Sequence, residues 1–99
     1  MRFVWDAAKE QKNLRKHGFD FSLAERVFRD PLLLVAYDRY EEGEHRWRAF
    51  GRIGEFVLAA VVHAYPDPDD ETLVRVIGLR VATAHERKRY EEGSFDGGA

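Results

Sequence analysis

Between Leu73 and Val81 the chain holds a nearly continuous apolar, β-branched run, interrupted only by Arg75, Gly78 and Arg80. A strand with one wet face alternates apolar and polar residues, so a run apolar on both sides predicts a central strand with neighbours on each edge. Side chains on a strand alternate between faces, and the odd spacing of Arg75 and Arg80 predicts one arginine on each side of the sheet. The run leads directly into Thr83-Ala84-His85-Glu86, a capping box in which the Thr83 hydroxyl and the Glu86 carboxylate each satisfy the other's backbone N–H. A helix is therefore predicted from Ala84 to about Tyr90, its surface carrying His85, Arg87, Lys88, Arg89 and Tyr90.

The 99 residues, 44% hydrophobic and 13% aromatic, suffice for one core and one domain, expected over 1–92 with a flexible Gly-rich tail over 93–99. The absence of cysteine rules out a disulfide framework or thiolate metal site and makes the cytoplasm the expected compartment. No apolar stretch reaches the roughly 18 residues of a membrane span, and Asp6 stands where a signal peptide needs its apolar region. A formal net charge of −2 argues against nucleic-acid binding by bulk electrostatics and leaves it to local basic patches. Such patches lie at Lys9 to His17, His45 to Arg52 and Arg80 to Arg89, with acidic clusters at Glu41, Glu42 and Glu44 and at Asp67 to Glu71.

Arg2 to Trp5 reads as a short strand, and Asp6 as the N-cap of a helix from Ala7 to about Lys16. That helix is too polar to bury more than a stripe containing Ala7 or Ala8 and Leu14, and Gly18 ends it. Ser22-Leu23-Ala24-Glu25 reads as a second capping box opening a short helix that Asp30-Pro31 stops. Strands are then expected at Leu32 to Tyr37, Arg46 to Arg52 and Phe56 to His63. A charged turn is expected over Asp38 to Glu44, and a loop with two prolines over Tyr65 to Asp70. Short connections favour antiparallel neighbours. The predicted architecture is α+β: a short N-terminal strand, two helices, a four-stranded antiparallel sheet and a C-terminal helix, with the helices on one face and the other face open.

His17, His45, His63 and His85 lack metal-ligand spacing, and no Gly-rich phosphate loop is present, so neither a metal nor a cofactor is expected. What remains is acid–base and electrostatic chemistry from Arg, Lys, His, Glu and Tyr, which suits phosphodiesters because the guanidinium fork matches phosphate oxygens. Arg80 has two readings, a phosphate clamp or a structural arginine paired with Glu44 or Glu86. Lys16 and His17 offer a clamp and a base, although a helix C-terminus also suits both. Arg46 and Arg48 extend a basic surface or simply keep a strand soluble. Trp5 and Trp47 read as core or as stacking platforms.

Phe3-Val4-Trp5-Asp6, Lys9, Asn13, Lys16-His17-Gly18, Phe21, Ala24 and Val27-Phe28 before Asp30-Pro31 form an ordered set of short motifs. Glu44-His45-Arg46-Trp47, Gly51, Arg75 to Thr83, Glu86-Arg87 and Tyr90 continue it. In their order and spacing these residues resemble the BrnT-type toxins of bacterial toxin–antitoxin pairs, over nearly the whole span from Phe3 to Tyr90. Two departures are Gly78-Leu79, where a small polar residue and alanine are more usual, and the long acidic loop from Tyr65 to Glu71. The resemblance implies a RelE-like fold and a metal-independent ribonuclease. It also implies a BrnA-type antitoxin that occludes the toxin and carries the complex to operator DNA. The site residues carried by the matching motifs are Lys16, His17, Glu44, Arg46 and Arg80. In the implied mechanism His17 or Glu44 takes the 2′-hydroxyl proton while Arg46 and Arg80 stabilise the pentacoordinate phosphate. The alternatives are a non-catalytic protein-binding module acting through an exposed sheet face, and a nucleic-acid binder without catalysis. Either an antitoxin or a second copy of the chain would cover the apolar surface left by the helices.

Overall fold

Asp6 closes the first strand, β1 (Arg2–Trp5), and opens the first helix, α1 (Ala7–His17), in the computed structural model, which describes residues 1–94. The Asp6 carboxylate accepts from the Ala8 and Lys9 N–H groups, and Gly18 ends the helix in the left-handed conformation at φ 79°. The Ser22 capping box does not form. Asp20, a side-chain acceptor two residues earlier, takes the Ser22 N–H at 2.9 Å and starts a 3-10 turn (Phe21–Leu23) that runs into α2 (Ala24–Phe28).

Four strands follow: β2 (Leu34–Glu41), β3 (Glu44–Arg52), β4 (Leu58–Ala64) and β5 (Leu73–Val81). The turn expected over Asp38 to Glu44 shrinks to Glu42-Gly43, both at positive φ, the two-residue hairpin geometry that matches strand twist. Phe56, expected to start a strand, is 81% exposed ahead of β4. The Thr83 box forms as expected and opens α3 (Ala84–Glu92), which continues through Glu91 and Glu92 until Gly93 caps it at φ 79°. Of the expected 93–99 tail, residues 95–99 lie outside the described residues.

The sheet has five strands in the order β1-β5-β4-β3-β2, with β1 parallel to β5 and every other pair antiparallel. This corrects the expected four-stranded antiparallel sheet. The crossover that a parallel pair requires is supplied by the whole intervening chain, a connection that local loop lengths do not disclose. β5 is flanked on both sides as its apolar run predicts, while β4 takes the geometric centre.

Both faces carry helices, which corrects the expectation of one covered and one open face. On the first, Phe21, Ala24 and Val27 pack with Ala49, Ala59, Val61, Val76 and Leu79. On the second, Tyr90 of α3, expected on the helix surface, is buried and packs with Phe50, Leu58 and Ala60. Gly51 permits the first packing, because a Cβ there would stand 2.4 Å from the Val27 carbonyl oxygen. α1 attaches through a polar side chain instead of the expected Ala and Leu14 stripe: Leu14 is 40% exposed, and Asn13 is buried. The Asn13 amide donates to Leu79 O at 2.9 Å and Phe19 O at 3.0 Å and accepts from Leu79 N at 3.1 Å. β1 pairs only as far as Val76, so Asn13 supplies the bonds that a longer β1 would have given to β5.

Candidate active site

A β-bulge determines which arginines meet. Val62 pairs with Gly78 but His63 pairs with Val76, so Ile77 is an extra residue in β5. The alternation of β5 therefore reverses across Ile77. Arg75 and Arg80 lie opposite Ala64 and Ala60, which share one face of β4, so the two arginines share that face. This overturns the expectation that they lie on opposite sides.

On the same face β3 presents Glu44, Arg46, Arg48 and Phe50 at every second position. The charged groups form two clusters along this face. Toward the hairpin, Arg46 is only 7% exposed and faces Glu41, Glu42 at 3.5 Å and Glu44 at 3.7 Å, while Glu44 also bonds Arg75. Toward α3, both Glu86 oxygens engage Arg80, at 2.7 and 3.0 Å, and one also accepts from Arg48 at 2.9 Å. Asp38, beside its own register shift in β2, lies 3.3 Å from Arg48. Of the two partners considered for Arg80, Glu86 is the one it has.

Glu86 thus caps α3 and anchors the arginines at once, accepting also from the Thr83 N–H at 2.9 Å. Burial, the largest single influence, pushes its carboxyl pKa up. Bonds from Arg80, the Thr83 N–H and Arg48 together outweigh burial and hold it at about 2. The same contacts, with the bond to Glu86 foremost, raise Arg80 above the usual arginine range. The Arg80–Glu86 pair thereby stays charged over the physiological range.

Lys16 is exposed and His17 half-buried on the last turn of α1, and neither makes a side-chain hydrogen bond or ion pair with the arginine face. Glu44, Arg46 and Arg80 belong to that face and these two do not. The expected site residues omit Arg48, Arg75 and Glu86; the Thr83 capping box and the pairing considered for Arg80 both point to Glu86, and no local signal points to Arg75. His63 is fully buried between Phe28 and Tyr65, with Val61 O at 3.2 Å and the Tyr65 hydroxyl at 3.1 Å. Burial lowers its pKa to about 4, so it stays neutral. Trp5 packs edge-on against Phe21. Among the described residues no group of three or more His, Asp or Glu side chains is placed to hold a metal ion, and no helix is long and apolar enough to cross a membrane.

At the hairpin end of the sheet lies a cleft of about 850 Å³, lined among others by His45 and Trp47, which leave β3 on the opposite face, by Tyr65 and Glu71, and by Glu44 and Arg75 of the arginine face. Trp47 is braced edge-on by Tyr37 at 5.2 Å and tilted toward Tyr65 at 6.2 Å.

A family model for the ribonuclease toxin BrnT of type II toxin–antitoxin systems matches residues 5–86. The crystal structure of the Brucella abortus ribonuclease toxin BrnT is similar to this chain at 26% identity and a TM-score of 0.58, covering 84% of this chain and 97% of that one. No curated protein sequence matches the chain. The family match spans β1 to the start of α3 and so includes both charged clusters, from Glu44 to Glu86. The chain therefore belongs to the BrnT family, the ribonuclease toxins of type II toxin–antitoxin systems.

Proposed function

We propose that this chain is a metal-independent endoribonuclease, acting in the cytoplasm on an RNA strand laid across the arginine face, and that a BrnA-type antitoxin neutralises it. The observation that carries this reading is the gathering of Glu44, Arg75 and Arg80 on one face by the bulge at Ile77. In the proposed step Glu44 takes the 2′-hydroxyl proton, the 2′-oxygen bonds to phosphorus, and the bond to the 5′-oxygen breaks. The leaving oxygen takes up a proton from water, and the products are a 2′,3′-cyclic phosphate and a 5′-hydroxyl; Lys16 and His17, away from this face, have no part in the step. Arg75 and Arg80, 33% and 28% exposed in their side chains, bind the charged phosphate oxygens. The buried Arg46 is a positioning residue behind Glu44. Charge stabilisation comes from guanidinium groups, which need no metal. The α+β architecture is taken as RelE-like, as the resemblance implies, and operator DNA is reached only through the antitoxin complex.

The test is expression of the chain alone. Wild type is expected to arrest growth and to cleave RNA equally well in EDTA, giving cyclic phosphate ends. Arg80→Ala is expected to fold and to lose at least a hundredfold in cleavage, on the order of the loss of one oxyanion donor. EDTA-sensitive cleavage restored by Mg²⁺ counts against the chemistry, and full activity in folded Arg80→Ala removes Arg80 from the site. One observation favours a second reading, the non-catalytic module: Arg46, Arg48, Arg75 and Arg80 each have a carboxylate partner within the chain. Folded wild type that cuts no RNA would support it.

A further inference from the structure

We infer that the cleft at the hairpin end of the sheet is a nucleobase subsite, which takes one unpaired base next to the phosphate held by the arginine face. The inference rests on the ribonuclease reading and adds where the strand turns and which side chains hold the base.

Three observations lead to it. The first is the wall of the cleft. Trp47 and Tyr65 line it, and contacts with Tyr37 and His63 fix both rings from behind, so stacking a base there orders no new side chain. The second is continuity. Glu44 and Arg75 of the charged face and Trp47 of the opposite face line the same cleft, so a strand with a phosphate at Arg75 would turn over the hairpin end of the sheet to bring its base to the rings. The third is the polar rim. Glu71 is exposed and makes no side-chain hydrogen bond or ion pair among the described residues, and His45 spends Nδ1 on the Tyr37 hydroxyl at 2.9 Å. An unpaired carboxylate accepts N–H donors and suits a base whose pairing edge presents them, as guanine does with N1–H and the 2-amino group. Stacking on rings with hydrogen bonds to an exposed base edge is how single-stranded RNA is generally held.

Trp47 itself supplies the measurement, because the only other tryptophan is Trp5. In a Trp5→Phe background, a 2′-O-methyl RNA hexamer, which cannot be cleaved, is titrated while end-label anisotropy reports binding and tryptophan emission reports the cleft. Binding is expected to quench Trp47. An otherwise identical hexamer lacking one base is expected to bind about five- to a hundredfold more weakly when the gap falls at the stacked position. Trp47→Leu is expected to lose the same factor, and Trp47→Phe to retain most of it. Guanine at that position is expected to bind more tightly than adenine, and Glu71→Gln to erase the difference. Binding with unchanged Trp47 emission, or equal affinity for intact and gapped hexamers at every position, overturns the subsite and leaves the ribonuclease reading standing. No binding by anisotropy overturns both.

Discussion

Glu86 holds a cap, two arginines and a helix start with a single carboxylate, so its protonation has a calculable cost. Its pKa falls from 4.5 to about 2 on folding, so its contribution is complete above pH 4.5 and is lost as pH falls toward 2. That contribution is about 3 kcal/mol, and urea midpoints measured between pH 6 and 2 should show its loss. Glu86→Gln should remove a comparable amount at pH 7, because it leaves Arg80 and Arg48 without their shared anion. Gly51 makes a different demand. Alanine there drives a methyl group into the Val27 carbonyl, and Gly51→Ala should cost about 1–3 kcal/mol in urea unfolding.

At the scale of elements, the joint between α1 and β5 is one amide side chain. Asn13→Ala would leave the Leu79 N–H and C=O unsatisfied in a buried setting, a cost of about 2 kcal/mol. Amide exchange at Leu79 should accelerate more than at Val61, whose bonds lie within the sheet. Asn13→Asp should rescue only in part, since a carboxylate accepts from Leu79 N but donates to nothing. Signals closed within a few residues were legible in the sequence: the Asp6 cap, the Gly18 stop and the Thr83 box all stand where they were read. Features that depend on distant partners were not. Parity counting along Arg75 and Arg80 fails because an added residue at Ile77 reverses it, and nothing local marks a bulge beyond Gly78 beside it. Asn13 was noticed only as part of a motif, because its role arises where β1 stops short of β5's end. For the candidate site, the strand expected at Arg46 to Arg52 holds Arg46 and Arg48, and Glu44 enters only through the family resemblance, but their union with β5 required the fold.

At the scale of the whole molecule, acid should act in two stages. His63 is held neutral by burial, so its contribution is complete above pH 6.5 and declines as pH falls toward 4, before that of Glu86 begins to fail. His63→Phe should flatten the first stage and leave the second, a separation visible in a plot of unfolding free energy against pH. Apolar surface also remains outside both helical layers, at Leu32, Val35, Tyr37, Tyr40 and Phe56. If an antitoxin covers the edge strand β2, co-expression should slow amide exchange in Val35 to Tyr40 and suppress RNA cleavage together. Unchanged exchange in a fully active complex would exclude that placement.

The parallel pairing of β1 with β5 has a consequence for synthesis. Arg2 is synthesised long before its partner Leu73. The arginines of β3 emerge long before Arg80 and Glu86, which align them. A translating ribosome therefore carries an unclosed sheet for most of the elongation time, and the charged face is assembled only once α3 is free. The face proposed as the site is thus the last part of the sheet to be put in order, because the arginines of β3 wait for Arg80 and Glu86.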